Sequence, residues 1–328
     1  MSAPVRVGVA GAGALGFHHI RLLRDIEGAV CAGFHDQDAA RAARVAGELG
    51  VSAFASFESL LEACDALCIV VPTSAHAAVA QQAIAAGKHL LVEKPLCTTL
   101  AEADAMLAAA RAQGVLIQTG HIERFNRAMR AAIPYVDAPR FISSERLAPF
   151  NPRGTDVAVV LDLMIHDIDL VSTLVGGAVR DVHAVGVPVL TPNIDIANAR
   201  LGFASGAVAT ITASRVSREK MRKVRIFQSS GYLSLDLGAG NGEFYRVRGD
   251  IDPLTLAAGP LSMESFVEVI PLEAPEGEPL RLELQSFVDA VRGISPVVVS
   301  GEDGRAALAV ALRILDAIGP AGSGVTGA

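Results

Sequence analysis

What most narrows the fold of this chain is a glycine loop within its first sixteen residues. A β-branched run, VRVGVA, passes directly into Gly11-Ala12-Gly13-Ala14-Leu15-Gly16, and a helical spacing of apolar residues follows. Such a glycine spacing says little by itself. Between a strand and a helix each glycine has its own part to play. Gly11 makes the tight turn, Gly13 lets the backbone approach a pyrophosphate, and Gly16 permits close helix–strand packing. The helix start, at Ala14 and Leu15, then offers free N–H groups to the phosphates. Asp36 stands twenty residues beyond Gly16, at the end of the second strand-like run. A carboxylate there accepts hydrogen bonds from the adenosine ribose hydroxyls and repels a 2′-phosphate, so NAD is expected over NADP. The competing reading is a plain glycine turn and a surface aspartate, and it leaves the register of strand, loop, helix and acid without a cause.

Over about the first 120 residues short apolar runs alternate with Ala-rich helical stretches. VRVGVA, AVCAGFHD, ALCIVVP, HLLVEKP and VLIQTG read as strands, and helical spacing fills the intervals between them. That alternation predicts a Rossmann-type doubly wound parallel sheet with helices on both faces. From about residue 180 onward strands follow one another without helices, from VRDVHAVGVPVL to SFVEVIPLE, which predicts an open, mixed and largely antiparallel sheet. Two helices, LRLELQSFVDAVRG and GRAALAVALRILDAIG, close the ordered chain. The expected division is an NAD-binding α/β domain over 1–121, an α+β domain for substrate and oligomerisation over 122–318, and a flexible tail over 319–328.

The chain has 328 residues and a net charge of -7, with no tryptophan, which argues against nucleic-acid binding by basic grooves or stacking platforms. The N-terminus lacks the pattern of a signal peptide, and no run is long and apolar enough for a membrane helix. Cys31, Cys64, Cys68 and Cys97 match no zinc or disulfide spacing, and reduced thiols in the cytoplasm are expected. Only four of the 28 basic residues are lysines: Lys88, Lys94, Lys220 and Lys223.

Lys94 follows a strand in the turn Glu93-Lys94-Pro95. Proline after it biases the lysine toward extended backbone and holds it at the carboxyl end of the sheet, where ligands of open α/β folds bind. An ammonium there stabilises the alkoxide that develops as an alcohol loses hydride. The alternative is an ordinary surface lysine at a strand end. A second concentration of chemistry lies in 161-LDLMIHDIDL-170, where Asp162, His166, Asp167 and Asp169 interrupt an apolar run. Thr155 or Asp156 is placed to start a helix here and Gly176–Gly177 to end it. On that helix Asp162, His166 and Asp169 share one side, and Asp167 points elsewhere as a structural group. A histidine suits proton transfer because its unperturbed pKa, about 6.5, lies near working pH. A metal centre is the weaker reading, since no second His or Cys group converges by sequence.

GAGALGFHH, VVPTSAHAAVA, VEKPL and the D-x-x-x-H-x-x-D pattern resemble the Gfo/Idh/MocA oxidoreductases, along the whole chain as far as ELQSFVDAVRG. The resemblance implies an NAD- or NADP-dependent dehydrogenase acting on CH–OH groups, with Lys94, Asp162 and His166 as its catalytic residues. It sets Pro72, Thr73, His76 and Glu93 beside the cofactor, and implies a homodimer or homotetramer through the second sheet. One departure is visible. Many members carry glycines just before the motif aspartate, where this chain reads Asp156-Val157-Ala158-Val159-Val160. GHIERFN, RFISSERLAPF and TASRVSREKMRK further resemble the branch acting on nucleotide-sugars. That branch oxidises C3 of UDP-N-acetylglucosamine ahead of an aminotransferase step toward lipid A.

A UDP-sugar substrate brings a diphosphate, which arginine binds through paired N–H groups. Arg215, Arg218, Lys220, Arg222, Lys223 and Arg225 are candidates for it, with Arg124, Asn126, Arg146 and Lys94 as further substrate contacts. The same basic run also reads as a strand edge protected against aggregation. His18 and His19 are read as packing or capping residues. Three other activities stay open: a dehydrogenase of another sugar or an inositol-like polyol, a glycosidase using NAD transiently to make a 3-keto sugar, and a non-catalytic NAD-sensing regulator. Retention of Lys94, Asp162 and His166 together argues against the regulator.

Overall fold

The computed structural model describes residues 3–151, 157–248 and 266–319. They divide into two compact units, Met1–Phe125 with Gly277–Ala309 and Asn126–Glu276 with Val310–Ala328. The helix start expected at Thr155 or Asp156, and the tail from residue 320, lie outside the described residues.

In the first unit five strands form one sheet, β1 (Val5–Ala10), β2 (Ala29–His35), β3 (Ala66–Ile69), β4 (His89–Glu93) and β5 (Ile117–Gly120). Their order is β2-β1-β3-β4-β5 and every pairing is parallel, as the strand–helix alternation predicts. Central strands of such a sheet are covered on both faces and must be apolar throughout. Leu67, Cys68 and Ile69 in β3 and Leu90, Leu91 and Val92 in β4 are fully buried. The crossover helices are α1 (Ala14–Leu23), α2 (Ala39–Leu49), α3 (Phe57–Ala63), α4 (Thr73–Ala85) and α5 (Leu100–Gln113). Local chemistry sets several of their ends. The Asp38 side chain caps α2, Thr99 and Glu102 form a capping box on α5, and Gly50 and Gly114 close those two helices in left-handed conformation.

The stretch 277–309, expected with the second domain, packs instead in the first unit. The helix α8 (Pro279–Val291) buries Leu280, Leu284, Phe287 and Val288 in the same core as Val7, Val9, Ile20 and Leu23. Its apolar stripe is plain in the sequence, but a stripe does not say which sheet it covers. Just before the last helix, α9 (Gly301–Ile318), the carbonyl of Val299 accepts the N–H of Thr119, so this segment also protects the β5 edge.

The second unit is built on an eight-stranded sheet ordered β13-β12-β11-β10-β6-β9-β8-β7. Its strands are β6 (Phe141–Leu147), β7 (Val179–Val187), β8 (Ile196–Phe203), β9 (Val208–Ser214), β10 (Met221–Gln228), β11 (Gly231–Asp236), β12 (Asn241–Val247) and β13 (Val267–Pro271). All neighbours are antiparallel except β6 and β9, so the sheet is mixed and mostly antiparallel, as expected. The seven strands expected from residue 180 onward are all present. β6 is not among them, yet it sits mid-sheet. The inner-face positions of β6 are Ile142, Ser144 and Arg146, all buried, and two of the three are polar. The period-2 apolar signal of a half-buried strand is therefore missing.

Those polar residues anchor the helix that lies on the inner face, α7 (Ile165–Val175), which is preceded by a π-helical turn over Val160–Met164. Asp167 accepts a hydrogen bond from the Ser144 hydroxyl at 2.7 Å and one from Arg146 Nε at 2.6 Å. The remaining short helix, α6 (Arg127–Ala132), has Asn126 as its N-cap. No described helix is long and apolar enough to cross a membrane.

Candidate active site

Candidate residues occur in both units. In the first they gather at the carboxyl ends of the strands, the usual ligand position of open parallel sheets. The glycine loop joins β1 to α1. Gly11 has φ +96°, and a Cβ there would meet the Val70 carbonyl oxygen at 2.5 Å. A Cβ on Gly16 would collide with the carbonyl oxygen of Gly11. Around Gly13 nothing lies within 4 Å of a Cβ position, and no side chain caps α1. This is the open, uncapped helix start that a pyrophosphate needs. Ala14 and Leu15 are exposed at that start.

A cleft of about 770 Å³ opens beside the loop, within the size range of cofactor sites. Gly11, Asp36, Arg41, Phe57 and Pro72 are among its lining residues. Asp36 directly follows β2, as expected. Its side chain is only 6% exposed, and it accepts hydrogen bonds from Ala12 N–H at 2.7 Å and Asp38 N–H at 2.8 Å. Arg41 Nη1 straddles both carboxylate oxygens, at 3.2 and 3.3 Å. Sequence reasoning misses Arg41, which looks like an ordinary polar-face residue of an amphipathic helix. The signal for it is its place in the first turn after the acid.

Pro72 and Thr73 stand at the N-terminus of α4, and Pro72 lines the cleft. His76 was expected against the cofactor, but its ring is buried. Nε2 lies 2.9 Å from the Val71 carbonyl and Nδ1 2.9 Å from the Pro95 carbonyl, so the ring sits between the β3–α4 loop and the turn containing Lys94, and when neutral it donates to one of the two. Burial pushes the His76 pKa below its ordinary value, more than these two carbonyl contacts raise it.

Lys94 is partly exposed at the carboxyl end of β4, and its peptide bond to Pro95 is cis. Glu93 is buried beneath it and accepts the Lys94 backbone N–H through Oε2 at 3.3 Å. Oε1 lies 3.0 Å from Nε2 of the fully buried His19. Burial alone drives the Glu93 carboxyl upward. The His19 hydrogen bond, with the charges of His19 and Lys94, outweighs burial and holds the group below the usual glutamate range. Glu93 thus supports Lys94 from within the fold, and His19 is more than the packing or capping residue expected. Its signal lies in the buried stripe Gly16, His19, Ile20 and Leu23, because a histidine in a core stripe needs a polar partner.

In the second unit Asp162 lies on the π-turn and His166 in the first turn of α7, and both side chains are partly exposed. Leu161 and Leu163 are likewise partly exposed, whereas Met164, Ile165, Asp167, Ile168 and Asp169 are buried. π-Turns are frequent at functional sites. Asp167 is the structural residue expected of it.

Several expected substrate contacts have other work. Arg146 is buried and paired with Asp167. Arg215 is buried, 3.6 Å from Asp195, and donates to the carbonyls of Val157 and Ile194. Asn126 is buried, caps α6 and donates to the Leu237 carbonyl at 2.9 Å. A buried guanidinium is stable only when paired, and Arg146 and Arg215 have such pairing within the fold. Arg124, mostly buried, donates to the Val298 carbonyl and sits 3.7 Å from Asp303. The run 215–225 is not one strand: Arg218 and Lys220 are exposed on the loop before β10. Within β10, Arg222 has the parity of buried Val224 and Ile226 and so shares the α7 face, whereas exposed Lys223 and Arg225 take the opposite face.

The model of the family described as "Oxidoreductase family, NAD-binding Rossmann fold" matches residues 5–121, and that of the GFO/IDH/MocA C-terminal domain matches residues 135–234. The chain is 39% identical over 319 residues to UDP-N-acetylglucosamine 3-dehydrogenase of Acidithiobacillus ferrooxidans, covering 96% of this chain and 97% of the other. It is 32% identical over 238 residues to scyllo-inositol 2-dehydrogenase (NAD(+)) of Bacillus subtilis, covering 66% and 69%. A solved structure of the Acidithiobacillus enzyme superposes with a TM-score of 0.88 at 38% identity, covering 97% and 98% of the two chains. With its glycine loop and Asp36 on the first sheet and its mixed second sheet, this chain belongs to the Gfo/Idh/MocA family of NAD-binding oxidoreductases.

Proposed function

We propose that this chain uses NAD to oxidise the C3 hydroxyl of UDP-N-acetylglucosamine. The observation that carries the reading is its 39% identity, along nearly the full length of both chains, to an enzyme named for that reaction. Lys94, Asp162 and His166 supply the groups the chemistry requires. NAD, held by the glycine loop and Asp36, provides the oxidant. His166 is the group suited to take the hydroxyl proton, and the Lys94 ammonium is the group suited to stabilise negative charge on a substrate oxygen. Asp162 orients the His166 ring or tunes its pKa. Arg218, Lys220 and Arg222 are the candidates for the diphosphate, with Arg124 as a further contact. The 3-keto product is set up for an aminotransferase that installs a 3-amino group, a step toward lipid A.

A homodimer or homotetramer through the second sheet accompanies this reading. On the face opposite α7, Phe141, Phe227, Tyr232 and Tyr245 form a row of stacked rings, with successive centroids 5.6, 5.4 and 4.5 Å apart. Light scattering tests the assembly. The four cysteines are free, which suits a reducing compartment such as the cytoplasm.

The likeness to an inositol dehydrogenase favours a second reading, oxidation of a free polyol. NADH absorbance with NAD and a panel of UDP-sugars, free sugars and inositols separates the two. A signal from UDP-N-acetylglucosamine supports the first reading, and a signal from a free polyol alone supports the second. Substrate turnover without net NADH would point to the glycosidase chemistry.

A further inference from the structure

Asp195 and Arg215 close the same end of two neighbouring strands. Asp195 precedes β8, Arg215 follows β9, and Ile196 pairs with Ser214. Both side chains are buried. Asp195 Oδ2 accepts the backbone N–H groups of Val189, Leu190 and Thr191, at 2.9, 2.7 and 2.8 Å. Its Oδ1 accepts the Thr191 hydroxyl at 2.7 Å. Burial pushes the Asp195 pKa up, but these donors hold it at about 2, so the group is an anion near neutral pH. Nε of Arg215 lies 3.6 Å from Oδ1 of that anion. Nη2 of Arg215 donates to the Val157 carbonyl at 2.5 Å and to the Ile194 carbonyl at 3.3 Å. The Ile194 carbonyl also accepts the Val159 N–H at 2.8 Å. The guanidinium thus fastens the end of the sheet to the backbone that leads into the π-turn.

Val157, Ala158 and Val159 form that lead-in, and the Ala158 carbonyl accepts the N–H groups of Leu161 and Asp162. Val159 and Val160 are fully buried. Residues 157–160 include no glycine, and a packed interior passes a displacement on rather than absorbing it. We propose that Arg215, held by Asp195, is a positioning residue that sets where the π-turn presents Asp162 and His166. Its place in the basic run marks Arg215 as a diphosphate candidate, yet the groups it meets are the backbone carbonyls at the entry to this turn. The role presupposes the proposed reaction, with His166 as its base. A displacement of about 1 Å in a reacting group costs about 10²-fold in rate, so a guanidinium that meets no substrate still has leverage on turnover.

Positioning and diphosphate binding separate through kcat and KM in the full-length protein. Arg215→Lys keeps the charge but lacks the fork that reaches two carbonyls and Asp195 together. With UDP-N-acetylglucosamine its kcat should fall about 10–100-fold, while KM stays within about threefold of wild type. Asp195→Asn should lower kcat in the same direction, and Arg215→Met should lower it more than Arg215→Lys. The Arg215→Lys/Asp195→Asn double variant should lose less than the product of the single effects. A raised KM with kcat intact would make Arg215 a diphosphate contact. Lowered thermal stability with kcat and KM both intact would make it merely structural, and either result overturns the proposal. NMR of the protein labelled at its histidine rings gives a readout independent of turnover, with the His166 signal identified by its loss in His166→Gln. Arg215→Lys should shift that signal, and an unmoved signal overturns the proposal even where no sugar is oxidised. Should Arg215→Lys fail to fold, Asp195→Asn carries both measurements. Oxidation of a free polyol alone would overturn the substrate reading instead, and the kcat loss is then read with that polyol.

Discussion

Nε2 of His19 lies 3.0 Å from Oε1 of Glu93, and the other oxygen of that carboxylate accepts the backbone N–H of Lys94. A buried acid at a strand end is thus tied to the first crossover helix on one side and to the candidate catalytic lysine on the other. Removing one partner of a buried pair leaves an uncompensated charge, so His19→Ala should cost about 3–5 kcal/mol. In urea unfolding, the double variant His19→Ala/Glu93→Ala should lose less than the sum of the single losses. Strict additivity would mean that the two residues do not act as a pair. The Glu93 contribution has a defined pH window. Its folded pKa lies below the unfolded value of about 4.3, so the stabilisation is complete above that pH and is lost as pH falls through the lowered folded value.

His76 gives stability a dependence nearer neutrality. Burial lowers its folded pKa below the unfolded value of about 6.5, so below that pH the unfolded chain binds a proton the folded chain resists. Its contribution is therefore intact above about pH 6.5 and falls on acidification. His89, also lowered by burial, acts with the same sign. Urea unfolding between about pH 7.5 and pH 5.5 (roughly one unit either side of the ordinary histidine value) should show stability declining with acid. The decline should be shallower in His76→Gln, and an identical slope in the variant would remove His76 from the effect.

Arg146 and Asp167 fasten the helix that carries His166 to the strand mid-sheet. Arg146→Met alone should destabilise by about 3–5 kcal/mol, because Asp167 is left buried without its guanidinium. Arg146→Met/Asp167→Leu should recover much of that loss, since a packed apolar pair often replaces a buried ion pair without penalty. Thermal unfolding of the three proteins checks this, and a double variant no more stable than Arg146→Met would contradict it.

His166→Ala should lower turnover by on the order of 10²–10⁴ while NADH binding stays close to wild type. Binding is read by cofactor fluorescence and turnover by NADH absorbance. A variant with undiminished turnover would take His166 out of the mechanism.

Much of this is legible in the sequence because it rests on local rules. Gly11 and Gly16 are required by backbone geometry at a strand–helix junction, Gly13 and Asp36 stand in the register of a known motif, and both sheets announce themselves through apolar periodicity. What stays hidden depends on partners distant in sequence. β6 lacks an apolar inner face because Ser144 and Arg146 turn inward to Asp167, a residue in another element. α8 shows its stripe but not the sheet it covers. Arg215 reads as a candidate phosphate contact and Arg146 as a further substrate contact because a guanidinium gives no sign in sequence of being buried against Asp195 or Asp167. His19 is underrated for the same reason, with its partner Glu93 seventy-four residues away.

The central claim, oxidation at C3 of a UDP-sugar by NAD, is tested most directly with UDP-N-acetylglucosamine carrying deuterium at C3. The purified chain should reduce NAD more slowly than with the unlabelled sugar, and mass spectrometry should find the deuterium in the reduced cofactor. Reduction of NAD with the deuterium retained in the sugar, or no reduction while a free inositol is oxidised, would contradict the account.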